Sequence, residues 1–211
     1  MEIIGLKNYN KQGYEKLKKD YNSIKDKNSN KANLILYILI MYSFNNDIRF
    51  NSKGEFNLPV GKTDMNKNNR EKLKKYIDSC NNKNISFLTK DFNKIDIDFF
   101  ENVDFVYVDP PYLITKAVYN ENCGWSEKEE RKLLELLDFL DKKKIKFALS
   151  NVLEKKDSKI KNEILISWLN KNKDKYYLHD IKYNYKSASY NKKNRDCLER
   201  EILVTNYRVG D

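Results

Sequence analysis

Asp109, Pro110, Pro111 and Tyr112 are consecutive residues whose types could perform chemistry, and they follow the apolar run DFVYV (104–108). The Asp109 carboxylate and the proline carbonyls accept hydrogen bonds, whereas neither proline offers an N–H. The Tyr112 ring adds a flat wall. Such an acceptor-rich pocket suits a planar base with an exocyclic amine, because the amine can donate two hydrogen bonds while the base stacks on the ring. A tight turn that happens to contain two prolines is the alternative.

The elements around this turn predict an α/β fold. From residue 84 onward the pattern predicts strands at 84–92, 104–108, 145–151, 176–185 and 200–207, and helices at 126–144 and 161–172. Ser126 and Glu129 form a capping box at the start of the first of these helices. The alternation predicts a mainly parallel sheet with helices on its faces, whose last two strands could pair antiparallel at one edge. Ligands bind such sheets at the carboxyl ends of the strands, where Asp109 lies.

The first 83 residues have a different composition. Helices predicted over 10–27, 29–44 and 70–82 surround a stretch rich in Asn, Gly, Lys and Asp (45–69), which is typical of loops. We therefore predict a mostly helical subdomain at 1–83 and an α/β part at 84–211.

Charge and composition favour a polyanionic partner. The chain of 211 residues carries 41 Lys+Arg against 31 Asp+Glu, a formal net charge of +10, and nucleic acid is the obvious partner for such a surface. The abundance of Lys, Asn, Ile and Tyr is also what an AT-rich genome would encode. A basic RNA- or ribosome-associated protein would explain the charge but not the ordered motifs described below.

Other classes of protein fit the sequence poorly. The longest apolar run, ANLILYILIMYSF (32–44), is shorter than the ~18–20 residues of a membrane helix, and the N-terminus lacks the features of a signal peptide. Cys80, Cys123 and Cys197 are scattered and His179 is the single histidine, which argues against a metal site or a disulfide framework. We expect a cytoplasmic protein with no bound metal.

Several segments resemble one known family. The tetrapeptide DPPY (109–112) resembles motif IV of methyltransferases that modify adenine N6 or cytosine N4. Four further segments resemble those of Dam-type (alpha-group) DNA N6-adenine methyltransferases, in the family's order: FNNDIRFNSKGEFNLPVGK (44–62), FLTKDF (87–92), KFALSN (146–151) and REILVTNY (200–207). The resemblance implies a restriction-modification enzyme that acts on double-stranded DNA. It also implies that residues 84–211 form part of a Rossmann-like class I methyltransferase sheet.

The resemblance assigns roles to individual residues. Asp109 and Pro110 would bind the adenine amine, and the Tyr112 ring would stack on a base flipped out of the duplex. Asp91 and Phe92 would border the adenine ring of the methyl donor, S-adenosylmethionine, which would meet the base near Asp109. No metal is implied.

Six residues of the first part would contact DNA: Phe44, Asn45, Arg49, Asn51, Lys53 and Asn57. Arg49 is the best candidate for reading a guanine edge, and a phosphate contact is the alternative for it. The alternative for Phe44 is simply the end of an apolar helix.

The sequence departs from the family at the donor site. The family's donor loop has the pattern Phe-x-Gly-x-Gly, but the six glycines of this chain, at positions 5, 13, 54, 61, 124 and 210, include no Gly-x-Gly. We therefore expect a second polypeptide to supply the donor-binding segment; a truncated gene product or an inactive DNA-binding fragment are the alternatives. In each case the 104–108 strand would be an exposed sheet edge.

The connection 113–125 has the length of a lid. At 13 residues it is long for an α/β unit, and we expect it to order over the flipped base, with Tyr119 or Trp125 near that base. A plain surface loop is the alternative.

Overall fold

The computed structural model describes residues 11–114, 125–155, 159–181 and 199–208. The chain divides after Leu88 into two compact units, each with its own hydrophobic cluster. This division lies close to the boundary at residue 83 that the sequence predicts.

Helices form most of the described part of the first unit. They are α1 (Lys11–Ser23), α2 (Asn30–Tyr42) and α3 (Lys67–Asn82), which confirms the three helices predicted there. The Ser29 side chain caps α2 by accepting a hydrogen bond from the Ala32 N–H. Apolar α2 has only 13 residues, and within the described ranges no helix is long and apolar enough to cross a membrane.

An irregular antiparallel hairpin, residues 43–60, connects α2 to α3. Isolated bridges join Ser43 to Val60 and Phe50 to Phe56. Because the residues between these bridges are unequal in number on the two sides, the outer side bulges at residues 44–49. The predicted loop at 45–69 is therefore a loop with a defined shape.

The hairpin packs on the helices through its inner side. The buried ring of Phe56 meets Tyr21 edge-on, with ring centroids 6.4 Å apart. The Tyr14 hydroxyl donates a hydrogen bond of 3.3 Å to the Leu58 carbonyl. These contacts fix the hairpin and leave residues 52–55 of its tip exposed.

The second unit is built on a mixed sheet. Its strands are β1 (Phe105–Val108), β2 (Lys146–Lys155), β3 (Ile160–Lys161), β4 (Tyr177–Asp180) and β5 (Glu199–Thr205). The order is β1-β2-β5-β4, with β3 beside β2. β1 pairs parallel to β2, whereas β5 pairs antiparallel to both β2 and β4. It follows that β1, β2 and β4 run in one direction and β5 runs against them.

This topology refines the predicted sheet. The antiparallel pairing of the last two strands is confirmed. The sheet is mixed rather than mainly parallel, because β5 inserts between β2 and β4 and adds two antiparallel pairings. A strand pattern predicts which segments are strands, but it does not show where the last strand enters the sheet.

Two helices cover one face of the sheet. They are α4 (Glu127–Lys142) and α5 (Glu163–Lys171), close to the predicted bounds. The capping box of Ser126 and Glu129 is present as predicted. The apolar face of α4 is buried against β2 and β5 through Leu133, Leu134, Leu137 and Leu140. Burial of this face anchors β2, the strand that pairs with β1.

The predicted strand at 84–92 is wrong. Residues 84–91 have no regular structure, Phe87 and Leu88 are 76% and 67% exposed, and a 3-10 turn (Phe92–Lys94) follows. A strand needs a hydrogen-bonding neighbour, and in the described chain no segment pairs with the outer edge of β1. β1 therefore lies at one end of the sheet among the described strands.

Candidate active site

Asp109 and Tyr112 meet at the carboxyl end of β1. Asp109 follows Val108, the last residue of the strand, and the Tyr112 hydroxyl donates a hydrogen bond of 3.1 Å to Asp109 Oδ1. Pro110 and Pro111 between them bring the chain back toward the strand end. Asp109 is exposed, so its carboxylate is open to a ligand. The structure thus brings together the acid and the ring that the sequence singled out.

The neighbouring strands supply two further contacts to the same hydroxyl. Tyr112 Oη lies 3.1 Å from Ser150 Oγ on β2 and 3.3 Å from Glu201 Oε1 on β5. The parallel register aligns Val108 with Leu149, which sets Ser150 level with Asp109. Tyr112 is therefore held by groups that follow or belong to three strands of the sheet.

The surroundings of Tyr112 keep its hydroxyl protonated. Burial raises the pKa of Tyr112 well above its usual value, the Asp109 and Glu201 carboxylates raise the pKa further, and the hydrogen bond with Ser150 lowers it. The phenol thus remains a hydrogen-bond donor at neutral pH.

Sequence reasoning gave Tyr112 a role for its ring alone and missed the partners of its hydroxyl. The strand-end rule could have identified Ser150, because this residue lies near the end of the apolar run next to the DPPY strand. Glu201 carried no such signal, because its proximity depends on the insertion of β5 beside β2.

Asp91 and Phe92 lie in the second unit, where they were expected to border the methyl donor. The Asp91 side chain accepts a hydrogen bond of 2.9 Å from the Asn93 N–H, and Phe92 packs against the Trp125 ring with centroids 5.5 Å apart. The two residues thus place a carboxylate next to an aromatic surface, and their contact with the donor stays a prediction. Among the contacts of the described residues, none joins Asp91 or Phe92 to Asp109.

Trp125 is tied to a buried carboxyl group that the sequence did not reveal. Its indole Nε1 donates a 2.6 Å hydrogen bond to Glu130 Oε2. Asn151 and Asn162 donate to Glu130 Oε1 at 3.2 and 2.8 Å. Glu130 is 0% exposed. Its hydrogen bonds join α4 to β2 and to the start of α5, and its bond to Trp125 places this network next to the Phe92–Trp125 pair. Residues 115–124 of the expected lid, including Tyr119, lie outside the described residues.

Arg49 and Asn57 face each other across the hairpin of the first unit. Arg49 Nε donates to Asn57 Oδ1 at 2.8 Å and Arg49 Nη2 to the Asn57 carbonyl at 3.5 Å. The Asn57 N–H also donates to the Arg49 carbonyl at 3.2 Å. These contacts orient the guanidinium by one edge. A guanidinium has five N–H donors, so this fixed group retains others for a ligand.

Asn51 organises the tip of the hairpin. Its side-chain oxygen accepts hydrogen bonds of 3.0 Å from the N–H groups of Lys53 and Glu55, and its amide nitrogen donates to Glu55 Oε2 at 2.9 Å. Gly54 has a φ of 74°, a left-handed conformation that suits glycine. The hydrogen bonds of the Asn51 side chain thus stabilise the turn, and Lys53 is exposed within that turn.

Phe44 and Asn45 lie just past the end of α2. The helix ends at Tyr42, and Phe44 is 50% exposed rather than part of the core. Asn45 and Asn46 have φ angles of 59° and 53°, a left-handed conformation that Asn tolerates better than most residues. This bend turns the Phe44 side chain out to the surface.

Comparison with known proteins identifies the family. The profile described as D12 class N6 adenine-specific DNA methyltransferase matches residues 4–186. The chain is 36% identical over 213 residues to the Type II methyltransferase M.FokI of Planomicrobium okeanokoites, an alignment of 98% of this chain and 31% of that protein. It is 34% identical over 212 residues to the modification methylase StsI of Streptococcus sanguinis, covering 97% of this chain and 30% of the relative.

The modification methylase LlaI of Lactococcus lactis subsp. lactis is 31% identical over 208 residues, covering 97% of this chain and 30% of that methylase. This chain therefore belongs to the D12 class N6 adenine-specific DNA methyltransferase family. It spans about 30% of the length of these relatives.

Proposed function

We propose that this chain forms the base-binding and DNA-recognition part of an S-adenosylmethionine-dependent DNA adenine N6 methyltransferase of the Dam-type, alpha-group arrangement. The observation that carries the proposal is the 3.1 Å pairing of Asp109 with Tyr112 at the carboxyl end of β1, in a chain that belongs to the D12 family. The relatives are named as Type II methyltransferases and modification methylases, which supports a restriction-modification context.

Asp109 and Pro110 would bind the amine of the target adenine. The amine is a poor nucleophile because its lone pair is delocalised into the ring. Acceptors on both of its hydrogens, the Asp109 carboxylate and the Pro110 carbonyl, favour the pyramidal nitrogen of the transition state. Tyr112 would stack on the flipped base and hold its plane. Positioning of this kind requires no metal and no covalent intermediate.

S-adenosylmethionine, when bound, supplies the methyl group from its sulfonium. In this chain Asp91, Phe92 and the side of the pocket at Asp109 would border the donor. The strand directions, with β5 reversed between β2 and β4, support the proposed partial class I methyltransferase sheet.

The donor loop would come from sequence outside these 211 residues, which contain no Gly-x-Gly. A second polypeptide is one source, and further sequence joined to this chain is another. The outer edge of β1, which pairs with no other described strand, is the surface that would receive it.

The first unit would recognise double-stranded DNA. Arg49 is held by Asn57 at the hairpin surface, and Lys53 and Phe44 are exposed on the same hairpin. The net charge of +10 favours approach to the phosphates. We propose that the hairpin of residues 43–60 reads bases while nearby lysines contact the backbone. The proposal includes the cytoplasmic location expected from the sequence.

The test is transfer of a labelled methyl group to duplex DNA that contains many sequences. The chain is assayed alone and with a polypeptide that carries a Phe-x-Gly-x-Gly loop and the following acidic strand end. We expect no transfer from the chain alone and N6-methyladenine from the mixture. Transfer by the chain alone would show that the donor site lies within residues 1–211. No transfer from any donor-loop mixture would contradict the proposed enzyme.

A further inference from the structure

One hydroxyl group lies between two carboxylates in the second unit, and only one of these carboxylates has a role so far. Tyr112 Oη is 3.1 Å from Asp109 Oδ1 and 3.3 Å from Glu201 Oε1. A hydroxyl has one proton, so it donates fully to one of the two carboxylates at a time. Ser150 Oγ, 3.1 Å from Tyr112 Oη, can donate its own proton to the phenol oxygen in either arrangement.

Strand pairing places these groups on one face of the sheet. Glu201 pairs with Val152 across β5 and β2, and side chains of directly paired residues share a face. Ser150 precedes Val152 by two positions and therefore lies on the same face. The Tyr112 hydroxyl reaches both side chains from the turn that follows β1. Its position is thus set by the register of β2 and β5 as well as by the turn itself.

The bound amine and the Tyr112 hydroxyl would both donate to Asp109; its carboxylate can accept several hydrogen bonds, but release of the phenol leaves its full charge to the amine. In the structure the Tyr112 hydroxyl donates to Asp109 Oδ1, while the proposed function requires Asp109 to accept from the target amine. A second acceptor within reach lets the phenol give up Asp109 without losing a hydrogen bond. Glu201 is that acceptor, and the buried Ser150 keeps the phenol oxygen in place during the exchange.

We propose that Glu201 is a positioning residue of the methylation site. It accepts the Tyr112 hydroxyl when Asp109 turns to the amine, and with Ser150 it fixes the plane of the stacking ring. This inference rests on the proposed function. It predicts that loss of Glu201 lowers the rate of the methyl-transfer step while the fold is maintained.

Glu199 provides a matched control for Glu201. It lies two residues earlier on β5, so its side chain shares the same face, and it carries the same charge. Its side chain is 48% exposed and lies 3.8 Å from the Lys155 ammonium, a long ion pair whose acidic partner faces solvent. Glu199→Ala therefore removes one negative charge from the strand without touching Tyr112.

The first experiment needs no activity. Tyr112 is replaced by 3-fluorotyrosine in the full chain, and the ¹⁹F resonance is followed with pH. We expect Glu201→Ala to lower the pKa of the phenol, because a nearby negative charge is lost, and Ser150→Ala to raise the pKa, because a hydrogen bond to the phenolate is lost. Glu199→Ala should leave the titration unchanged. A phenol pKa that stays the same in both Glu201→Ala and Ser150→Ala would overturn the proposal.

The second experiment measures kcat and KM in the donor-loop mixture. Glu201→Ala should lower kcat by roughly tenfold with a smaller change in the KM for DNA, in line with one lost hydrogen bond to a charged group. Glu201→Gln keeps an oxygen acceptor and should recover most of the rate, and Glu199→Ala should match the unmodified chain. Thermal unfolding of each variant checks the fold.

The two proposals fail in different ways. An unmodified mixture that transfers no methyl group contradicts the proposed function, whichever way the fluorine signal moves. An active mixture in which Glu201→Ala retains the full kcat contradicts the positioning role alone.

Discussion

Asn162 Nδ2 donates a 2.8 Å hydrogen bond to Glu130 Oε1 in the interior of the second unit. The same Asn162 side chain caps α5 by accepting a hydrogen bond from the Leu165 N–H. One buried residue of α4 therefore holds the start of α5. Asn151 of β2 donates to the same carboxyl oxygen. Glu130 therefore joins α4 and α5 to β2, the strand beside the pocket.

Glu130→Ala should lower the free energy of unfolding of the second unit. The change leaves the buried Asn151 and Asn162 and the half-buried Trp125 without this acceptor, and an unsatisfied buried donor costs about 1–3 kcal/mol. We expect the free energy of unfolding to fall by about 3 kcal/mol in urea titrations. Glu135→Ala, at an exposed site of the same helix, should change it by less than about 0.5 kcal/mol. Equal losses for the two variants would contradict the role of the network.

Gly61→Ala should destabilise the first unit through a backbone clash. A Cβ at Gly61 would lie 2.2 Å from the Ser43 carbonyl oxygen, where the hairpin closes on the end of α2. Such overpacking costs about 1–3 kcal/mol. Gly54→Ala meets no atom within 4 Å, and its φ of 74° alone should cost about 1 kcal/mol. Urea unfolding of the two variants compares a steric effect with a purely conformational one, and a smaller loss for Gly61→Ala would argue against the close approach.

Stability at alkaline pH should depend on Tyr14. Burial raises the pKa of this tyrosine to about 12, with a smaller contribution from Glu15. Because the folded pKa lies above the unfolded value, the stabilisation is complete below about pH 10 and is lost as the pH rises toward 12. Over this interval the free energy of unfolding of the Tyr14→Phe variant should fall by about 2 kcal/mol less than that of the unmodified chain. Identical slopes of unfolding free energy against pH would contradict a buried, neutral phenol.

Arg49→Ala should relax sequence recognition in the proposed complex. If the fixed guanidinium reads a base edge, its loss costs about 1–3 kcal/mol at one base position. Asn57→Ala should have a similar but smaller effect, because Asn57 orients Arg49. Competition binding to a library of duplexes measures both. A loss that is uniform across sequences, as expected for the exposed Lys53→Ala, would make Arg49 a phosphate contact instead.

Asp109→Ala should remove methyl transfer from the donor-loop mixture. The change deletes the acceptor for the target amine, and loss of one such transition-state contact costs about 100-fold or more in rate. Asp104→Ala, at the opposite end of the same strand, is the control and should retain activity. Incorporation of labelled methyl into duplex DNA measures both variants. Normal turnover by Asp109→Ala would contradict the assignment of the pocket.

The local elements of this chain could be predicted because their signals are local. The Ser126–Glu129 box marks where α4 begins, the leucine spacing marks its buried face, and the prolines after the apolar run mark where β1 ends. The segment at 84–92 has an apolar pattern but no pairing partner in the described chain. Since strand formation depends on a neighbour, the pattern alone led to a wrong prediction there.

The site could be predicted only in part, for a related reason. Asp109 and Tyr112 are close in sequence, so the turn between them was enough to bring them together. Ser150 and Glu201 reach the same hydroxyl through the order of the strands, over 38 and 89 residues of sequence separation. No local pattern encodes such a meeting. The roles predicted for Asp91, Phe92 and the hairpin residues remain predictions.

The reversed direction of β5 also determines at which end of the sheet a label attached after this strand would lie. Because β5 runs against β1, its last residues lie at the amino end of β1, where Tyr207 meets Phe105 with ring centroids 6.2 Å apart. Asp109 lies at the other end of that strand. A label attached at Arg208 would thus lie on the side of the sheet remote from the DPPY turn. Labels attached there should leave the pocket accessible.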